Sequence, residues 1–275
     1  MTLFVAIIVF IFGTAIGSFL SVVIHRVRHK QKGILLSHSI CPSCKKKLKW
    51  LHLIPIFSWL FLRGKCGFCG KKISTHYFSL ELITGLLFLL TFLVWNFVLE
   101  IPSTIDPALL NYAINWHTFE IFIFYIILFT FLIAIFFYDL LYQEIPDRFS
   151  LPAIAITIAG VLILGLTPPL SMLIGGAGIF LFFLAQLVLS KGKWIGGGDL
   201  RLGALMGLLL GWKLGLIALV LSYFLGSIAS VVLLIQKKAN RKSAIPFGPF
   251  LVTGTVIAIF YGNQILSWYL GTLMN

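Results

Sequence analysis

Long apolar stretches, separated by short and mostly basic polar turns, run through almost the whole chain. Most of them approach or exceed the roughly 20 residues that a helix needs to cross a bilayer. They predict about eight membrane-spanning helices, at Leu3–Ile24, Tyr77–Val98, Ile121–Tyr138, Leu151–Leu166, Leu170–Leu189, Leu202–Trp212, Leu214–Ile235 and Phe247–Leu266. Leu202–Trp212 is short, so it is expected to borrow residues at one end or to lie inside the bundle. The pattern predicts an all-α polytopic membrane protein.

Composition supports this fold class. Hydrophobic residues make up 60% of the chain and charged residues only 11%, whereas soluble domains carry about 25% charged residues. A net charge of +13 would suggest a nucleic-acid partner if the chain were soluble. In a membrane protein the positive-inside bias explains the same excess, so we predict contact with membrane lipid and no nucleic-acid partner.

The distribution of Lys and Arg predicts the orientation in the membrane. Four segments placed in the cytoplasm hold 20 of the 21 Lys and Arg residues, and only Lys213 falls outside them. The loop Leu99–Glu120 has acidic residues but no Lys or Arg, which is typical of an outer loop. An even number of helices then puts both termini outside. The four cytoplasmic segments are His25–His76, Asp139–Ser150, Ser190–Arg201 and Gln236–Pro246.

Segment 25–76 contains two C-x2-C pairs, Cys41-Pro-Ser-Cys44 and Cys66-Gly-Phe-Cys69. Four thiolates in two such pairs form a closed tetrahedral site, which suits structural zinc. Two disulfides or free thiols are the alternatives, and disulfides are disfavoured in a cytoplasmic segment. We predict a first transmembrane helix at 1–24, a small cytoplasmic zinc-binding loop domain at 25–76 and a helical membrane domain at 77–275.

Only eight acidic residues occur in the chain, and four of them lie in two turns at the ends of apolar stretches. Asp139, Glu144 and Asp147 belong to one turn, and Asp199 follows three glycines in the other. Two aspartates that meet can cut a peptide bond through a water molecule, one as general base and the other as general acid. We predict that Asp139 and Asp199 form this pair. The alternatives are interfacial charges in water and, for Asp147, a helix cap.

Glycines follow Asp199 at regular intervals of four residues, at Gly203, Gly207 and Gly211. On a helix these positions share one face with Asp199. Small residues at this spacing let membrane helices pack closely. We predict that this face holds Asp199 against Asp139. The alternative is ordinary helix packing, to which Asp199 is incidental.

Together these motifs resemble the type IV prepilin peptidases, the bifunctional leader peptidase/N-methyltransferases of the G-x-G-D type. The resemblance runs nearly end to end. It covers Gly17–Arg26, Cys41–Cys44, Trp50, Ile54–Trp59, Arg63–Cys66, Glu81–Gly85, Asp139–Asp147, Gly196–Asp199 and Pro246–Phe250. Departures are small: Ser21 stands where Asn is common in the family, and Arg201 stands where Lys is common.

The resemblance implies an aspartic endopeptidase of the bacterial inner membrane, with Asp139 and Asp199 as the catalytic pair. It implies removal of the short basic leader from type IV prepilins or pseudopilins at the cytoplasmic face, with the cut just after a glycine. It also implies methylation of the new N-terminus with S-adenosylmethionine. Glu81 and Gly85 are candidates for the methyltransferase site by family position only.

The remaining candidate residues surround the two aspartates along the chain. A basic leader should be repelled by this basic protein, and two acids in the first turn could offset the repulsion. We therefore assign Glu144 and Asp147 to substrate binding. The glycines expected to support Asp199 are Gly196, Gly197, Gly198 and Gly203.

Two other function classes stay open from the sequence. Transporters also carry intramembrane carboxylates and glycine-interrupted helices, but no carboxylate falls in mid-span here and a transporter has no need of a four-cysteine loop. A receptor or scaffold could use the cysteine loop to bind a partner. Cleavage of a prepilin-like peptide would distinguish a peptidase from both.

Overall fold

A computed structural model describes residues 2–30, 41, 43–48, 50–102, 110–237 and 245–274. Besides the single residues Pro42 and Lys49, three segments of the predicted loops lie outside the described residues. They are 31–40 in the predicted cytoplasmic loop domain, 103–109 in the predicted outer loop, which includes Asp106, and 238–244 in the turn Gln236–Pro246.

The chain forms two compact units, Met1–Thr130 and Phe131–Asn275. The first unit contains α1 (Thr2–Arg28), a 3₁₀ turn (Trp50–Leu53), α2 (Phe57–Phe61), α3 (Thr75–Val94), β1 (Val98–Pro102), β2 (Leu110–Ile114) and the first part of α4 (Trp116–Tyr142). Helix α1 packs on α3, where a Cβ on Gly13 would lie only 2.9 Å from Cα of Gly85. The division at 1–24, 25–76 and 77–275 stays a prediction.

A short antiparallel ribbon occupies the described part of the predicted outer loop, where no strand was predicted. Strands β1 and β2 pair from Val98 opposite Ile114 to Pro102 opposite Leu110. The predicted span Tyr77–Val98 therefore ends earlier, because α3 stops at Val94. A short apolar run is compatible with helix and with strand, so hydropathy did not separate the two.

The second unit contains the rest of α4 and four further helices, α5 (Asp147–Leu164), α6 (Pro169–Leu189), α7 (Gly197–Ile235) and α8 (Gly248–Met274). Local signals explain several of their ends. Helix α5 ends at Gly165, which adopts the left-handed conformation with φ 63°. Helix α6 begins at Pro169, whose fixed φ suits the first helical position. The core lies where α7 packs on α6 and α8, around the fully buried side chains of Phe183, Leu202, Leu205, Met206 and Leu251.

Helix α7 is a hairpin of two helices rather than one straight rod. Gly211 interrupts its 39 residues with φ 70° and ψ −177°, a backbone region open essentially to glycine alone. A Cβ on Gly215 would lie 3.6 Å from Cα of Gly207, whereas residues eight apart in a straight helix are about 12 Å apart along the axis. The chain therefore turns back at Gly211, between α7a (197–210) and α7b (212–235).

Side chains just before and within α6 bind the backbone groups that the break leaves free. The hydroxyl of Thr167 donates to the carbonyl of Leu209 at 2.9 Å, and the N–H of Trp212 donates to the hydroxyl of Ser171 at 3.3 Å. Unpaired backbone groups are costly inside a membrane, so these bonds help to keep the turn in place.

Seven helices in the described part of the chain are long and apolar enough to cross a membrane. Because α7 turns back on itself, it supplies two of the predicted spans, Leu202–Trp212 and Leu214–Ile235. The short first span borrows residues at its N-terminal end, as α7 begins at Gly197. The predicted all-α polytopic fold is confirmed.

Candidate active site and cysteine cluster

Asp139 lies near the end of α4 and is almost fully buried, with 5% of its surface exposed. Its Oδ2 accepts a hydrogen bond of 2.9 Å from the backbone N–H of Gly248. Gly248 is the first residue of α8, so this N–H is one of the donors that a helix leaves unpaired at its start. The positive end of the helix dipole also favours a carboxylate here.

Asp199 has a matching environment at the start of α7. Its Oδ2 accepts a hydrogen bond of 3.1 Å from the N–H of Gly196, the residue just before the helix. The N–H of Asp199 in turn donates to the carbonyl of Gly196 at 3.1 Å. These two bonds close the first turn and hold the carboxylate against the helix start.

The structure brings the two carboxylates together, since Asp139 and Asp199 are close enough to interact electrostatically. Each is anchored through Oδ2 to a backbone N–H, and a carboxyl group has a second oxygen with which to transfer a proton. Carboxyl groups that interact titrate as a pair, in which one member can be protonated while the other is ionised. General acid–base hydrolysis needs that combination.

Ile145, in the turn between α4 and α5, packs against the starts of both α7 and α8. A Cβ on Gly198 would lie 2.6 Å from Cβ of Ile145, and one on Gly248 would lie 3.1 Å from its Cδ1. A side chain at position 198 would therefore require Ile145 to move. Ile145 itself is buried, so it ties the two helix starts to the turn that follows Asp139.

The three glycines before Asp199 are not equivalent. A Cβ on Gly197 would meet nothing within 4 Å, and one on Gly196 would reach only Oδ2 of Asp199, at 3.7 Å. Of the three, only Gly198 is at a position where an added Cβ would collide with a neighbouring side chain, that of Ile145. The structure therefore gives a steric reason for one of the three glycines.

Two members of the predicted glycine stripe face α6. A Cβ on Gly203 would collide with the ring of Phe183, and one on Gly207 would collide with the backbone of Gly175. The prediction of a helical position for Gly211 is wrong, because Gly211 has a non-helical backbone and forms the hairpin turn.

The two acids assigned to substrate binding lie at the surface. Asp147 is the first residue of α5, after Pro146 in the cap position, and it forms an ion pair with Arg201 of α7. Its side chain is 63% exposed, and exposed pairs of this kind contribute about 1 kcal/mol or less. Glu144 is also exposed, in the turn before α5.

The four cysteines of the first unit form one cluster, with their sulfur atoms within 4.8 Å of one another. Tetrahedral coordination with metal–sulfur bonds of about 2.3 Å needs sulfur atoms about 3.8 Å apart. A small decrease in the sulfur–sulfur distances would therefore let the four cysteines bind an ion. The N–H of Cys44, and to a lesser extent that of Ser43, donates to the sulfur of Cys41 and lowers its pKa to about 6. The thiolate is the metal-binding form, so the sulfur of Cys41 suits a thiophilic ion.

The two cysteine pairs have the same backbone geometry. In each, the N–H of the first cysteine donates to the carbonyl five residues later, and the N–H four residues later donates back to the cysteine carbonyl. The distances are 2.9–3.0 Å, for Cys41 with Lys45 and Lys46 and for Cys66 with Gly70 and Lys71. The fourth following residue has positive φ in both pairs, 58° at Lys45 and 69° at Gly70.

Glu81 connects α3 to the segment between the cysteine pairs. Its side chain is buried, and Oε2 accepts a hydrogen bond of 2.7 Å from the N–H of Ile56. Ile56 has φ 64°, which is unusual for a β-branched residue, so Glu81 helps to hold a strained turn. Gly85 packs on α1, where a Cβ would lie 2.6 Å from Cγ2 of Thr14.

Some residues of the site were not predicted from the sequence. Gly248 lies in the stretch Pro246–Phe250, which carried the family resemblance, but nothing in that stretch indicated contact with Asp139. Ile145 likewise lies in a stretch that carried the resemblance, Asp139–Asp147, but nothing there indicated contact with the starts of α7 and α8. The ion pair of Arg201 with Asp147 joins positions far apart in the chain.

Two family models match the chain. One, described as the Bacterial Peptidase A24 N-terminal domain, matches residues 11–96. The other, described as the Type IV leader peptidase family, matches residues 126–231, which include both Asp139 and Asp199.

Curated relatives match over nearly the full length. A prepilin leader peptidase/N-methyltransferase from Bacillus subtilis (strain 168) is 31% identical, over 96% of this chain and 97% of its own. Proteins with the same name from Aeromonas salmonicida (strain A449) and Legionella pneumophila are each 30% identical. These two alignments cover 97% and 98% of this chain, and 94% and 96% of the relatives. No solved structure matches the chain.

Proposed function

Because the chain belongs to the type IV leader peptidase family, we propose that it is a membrane aspartic endopeptidase that removes the basic leader from type IV prepilins or pseudopilins. The observation that carries the proposal is the interacting pair Asp139 and Asp199, each anchored to a helix start. The protein then methylates the new N-terminal residue with S-adenosylmethionine, a second activity that the names of its relatives suggest.

In the cleavage step, the ionised carboxylate of the pair takes a proton from a water molecule, whose oxygen attacks the scissile carbonyl carbon. The protonated carboxyl donates its proton to the carbonyl oxygen, which gives a neutral tetrahedral intermediate. Return of a proton to the peptide nitrogen breaks the C–N bond. One water is consumed, the leader gains a carboxyl terminus and the mature protein gains an amino terminus.

The position of the pair suits such a substrate. Asp139 lies near the end of α4 and Asp199 near the start of α7, so both lie at helix ends rather than in mid-span. A prepilin is an apolar helix with a polar leader, so its scissile bond lies at a comparable depth. The positive-inside rule favours the cytoplasmic face of the inner membrane for this end, with both termini outside. The basic residues nearby in the chain are Arg148, Lys191, Lys193 and Arg201.

Glu144 and Asp147 are the proposed contacts for the basic leader. Both are exposed in or just after the turn that follows Asp139. Arg201 already pairs with Asp147, so a lysine or arginine of the leader would replace one surface cation by another at little cost. The supporting role of Gly198 and Gly203 is proposed on steric grounds, whereas Gly196 and Gly197 have no such support.

Zinc is the ion that we propose for Cys41, Cys44, Cys66 and Cys69, because four thiolates make a closed structural site. A bound ion would fix the shape of the loop and supply no chemistry to the cleavage. Glu81 then contributes to methylation through the turn that it holds at Ile56. Gly85 contributes through helix packing.

The test is incubation of the purified protein in lipid nanodiscs with a prepilin, with and without S-adenosylmethionine, followed by mass spectrometry. Loss of the leader is expected in both samples, and a methyl group on the mature protein only with S-adenosylmethionine. Asp139→Asn and Asp199→Asn should each slow cleavage by about 100-fold or more. Asp147→Asn, at a proposed leader contact outside the catalytic pair, should retain partial activity. Cleavage at the parent rate by Asp199→Asn would exclude this mechanism.

A further inference from the structure

Tyr223 lies at the same level as Asp199 because of the hairpin in α7. Asp199 comes twelve residues before the turn at Gly211, and Tyr223 comes twelve residues after it. The close approach of Gly207 and Gly215, each four residues from the turn, shows that the two arms run side by side. Equal numbers of residues along two antiparallel arms place their side chains at equal depth.

Independent contacts put Tyr223 beside the carboxylate pair. Its ring packs on that of Phe247, with centroids 4.9 Å apart, and the next residue is Gly248, whose N–H binds Asp139. Tyr223 and Asp199 are also close enough to interact electrostatically. Tyr223 therefore lies near the pair Asp139 and Asp199. Two separate relationships indicate this, one within α7 and one with the start of α8.

Gln186 of α6 orients the phenol. Its Nε2 donates to the hydroxyl of Tyr223 at 2.9 Å, and the hydroxyl in turn donates to its Oε1 at 3.1 Å. The two residues form a polar pair on membrane helices, where polar side chains are costly and often serve function. Tyr223 is 37% exposed, so the pair is open to an approaching molecule.

Cleavage of a helical substrate requires a hydrogen-bond donor near the scissile bond. A peptide bond inside a helix has its carbonyl already hydrogen-bonded, and it must be unwound before water can attack it. An unwound segment at the membrane exposes carbonyls that lipid cannot satisfy. A phenol O–H is a suitable donor for one of them.

We propose that the hydroxyl of Tyr223, held by Nε2 of Gln186, moves its single donated hydrogen bond from Oε1 of Gln186 to a backbone carbonyl of the unwound substrate segment beside Asp139 and Asp199. This inference rests on the peptidase function proposed above. The hydrogen bond forms only after the substrate unwinds, so it stabilises the transition state more than the bound helical substrate. Its loss should therefore lower kcat and leave KM nearly unchanged.

The experiment measures kcat and KM for a prepilin in nanodiscs. Tyr223→Phe should lower kcat by about tenfold, the value of one hydrogen bond of ordinary strength. The matched control is Tyr261→Phe, which removes the same hydroxyl from an exposed position on α8 and should keep the parent kinetics. Thermal unfolding of both variants should follow the parent.

Gln186→Leu provides the second arm. If Gln186 acts only through Tyr223, Gln186→Leu lowers kcat in the parent but adds no further loss to Tyr223→Phe. A pair that merely joins α6 to α7 would instead lower the thermal midpoint in both single variants and leave kcat per folded enzyme unchanged. That result, or a parent-like kcat in Tyr223→Phe, overturns the inference while the peptidase function stands. A parent protein that cleaves no prepilin overturns both.

Discussion

The backbone N–H of Gly248 donates to Oδ2 of Asp139 at 2.9 Å, and a methyl group at position 248 would lie 2.7 Å from the same oxygen. The missing side chain is therefore what lets the start of α8 approach the carboxylate. A Cβ at position 248 would also lie 3.1 Å from Cδ1 of Ile145. One glycine thus sets the distance between a helix start and a proposed catalytic aspartate.

Gly248→Ala should slow prepilin cleavage by about 100-fold, because the added methyl group would displace Asp139 or the start of α8 and a misplacement of about 1 Å costs that much. The matched control is Gly271→Ala on the same helix, where a Cβ meets nothing within 4 Å. Initial cleavage rates, normalised to inserted protein, provide the measurement. Equal rates for the two variants would show that the contact with Asp139 does not position the carboxylate.

Gly198→Ala should reduce the cleavage rate strongly, whereas Gly197→Ala should leave it near the parent value. The reason is that a Cβ at 198 would lie 2.6 Å from Cβ of Ile145 and a Cβ at 197 meets nothing within 4 Å. Removing the Cβ of the neighbour should restore space, so Ile145→Gly combined with Gly198→Ala should cleave faster than Gly198→Ala alone. A Gly197→Ala protein as impaired as Gly198→Ala would refute this steric explanation.

Gly203→Leu should lower cleavage by about 100-fold, since the larger side chain would push α7a away from Phe183 of α6 and carry Asp199 with it. Gly178→Leu is the control, because it adds the same side chain to α6 at an exposed position with no neighbour within 4 Å. Cleavage rates are compared at equal levels of folded protein. Parent-like cleavage by Gly203→Leu would indicate that Ile145 and Gly198, rather than Gly203, position Asp199.

Lys45→Gly should stabilise the first cysteine pair by about 1 kcal/mol, because glycine adopts the observed φ of 58° without the steric cost that lysine bears. Gly70→Ala should weaken the second pair by a similar amount for the same reason. Lys47→Gly, at a position that has no positive φ, is the control and should bring no gain. Competition with a chelator measures zinc retention. Tighter retention after Lys47→Gly than after Lys45→Gly would contradict this reading of the backbone.

Much of the fold could be predicted because the bilayer requires apolar composition and helical structure of each spanning segment. In a bilayer, an apolar stretch of about 20 residues can satisfy its own backbone hydrogen bonds by forming a spanning helix, so each stretch can be recognised separately. The clustering of Cys41, Cys44, Cys66 and Cys69 followed from spacing for a similar reason, since each C-x2-C pair is a local unit. The aspartates Asp139 and Asp199 were found by their chemistry, as carboxylates are rare in so apolar a chain.

The sequence by itself thus determined the class of protein, the order of its long apolar helices and the candidate pair of carboxylates. Tertiary structure decided that Gly211 turns α7 back on itself, that Gly248 binds Asp139 and that only Gly198 among its neighbours meets Ile145. The contacts of Gly248 and Gly198 join positions that are distant in the chain. A hydropathy pattern reports local composition, so it does not predict such contacts. They arise because close packing gives each Cβ either a neighbour or open space, and only the assembled helices determine which.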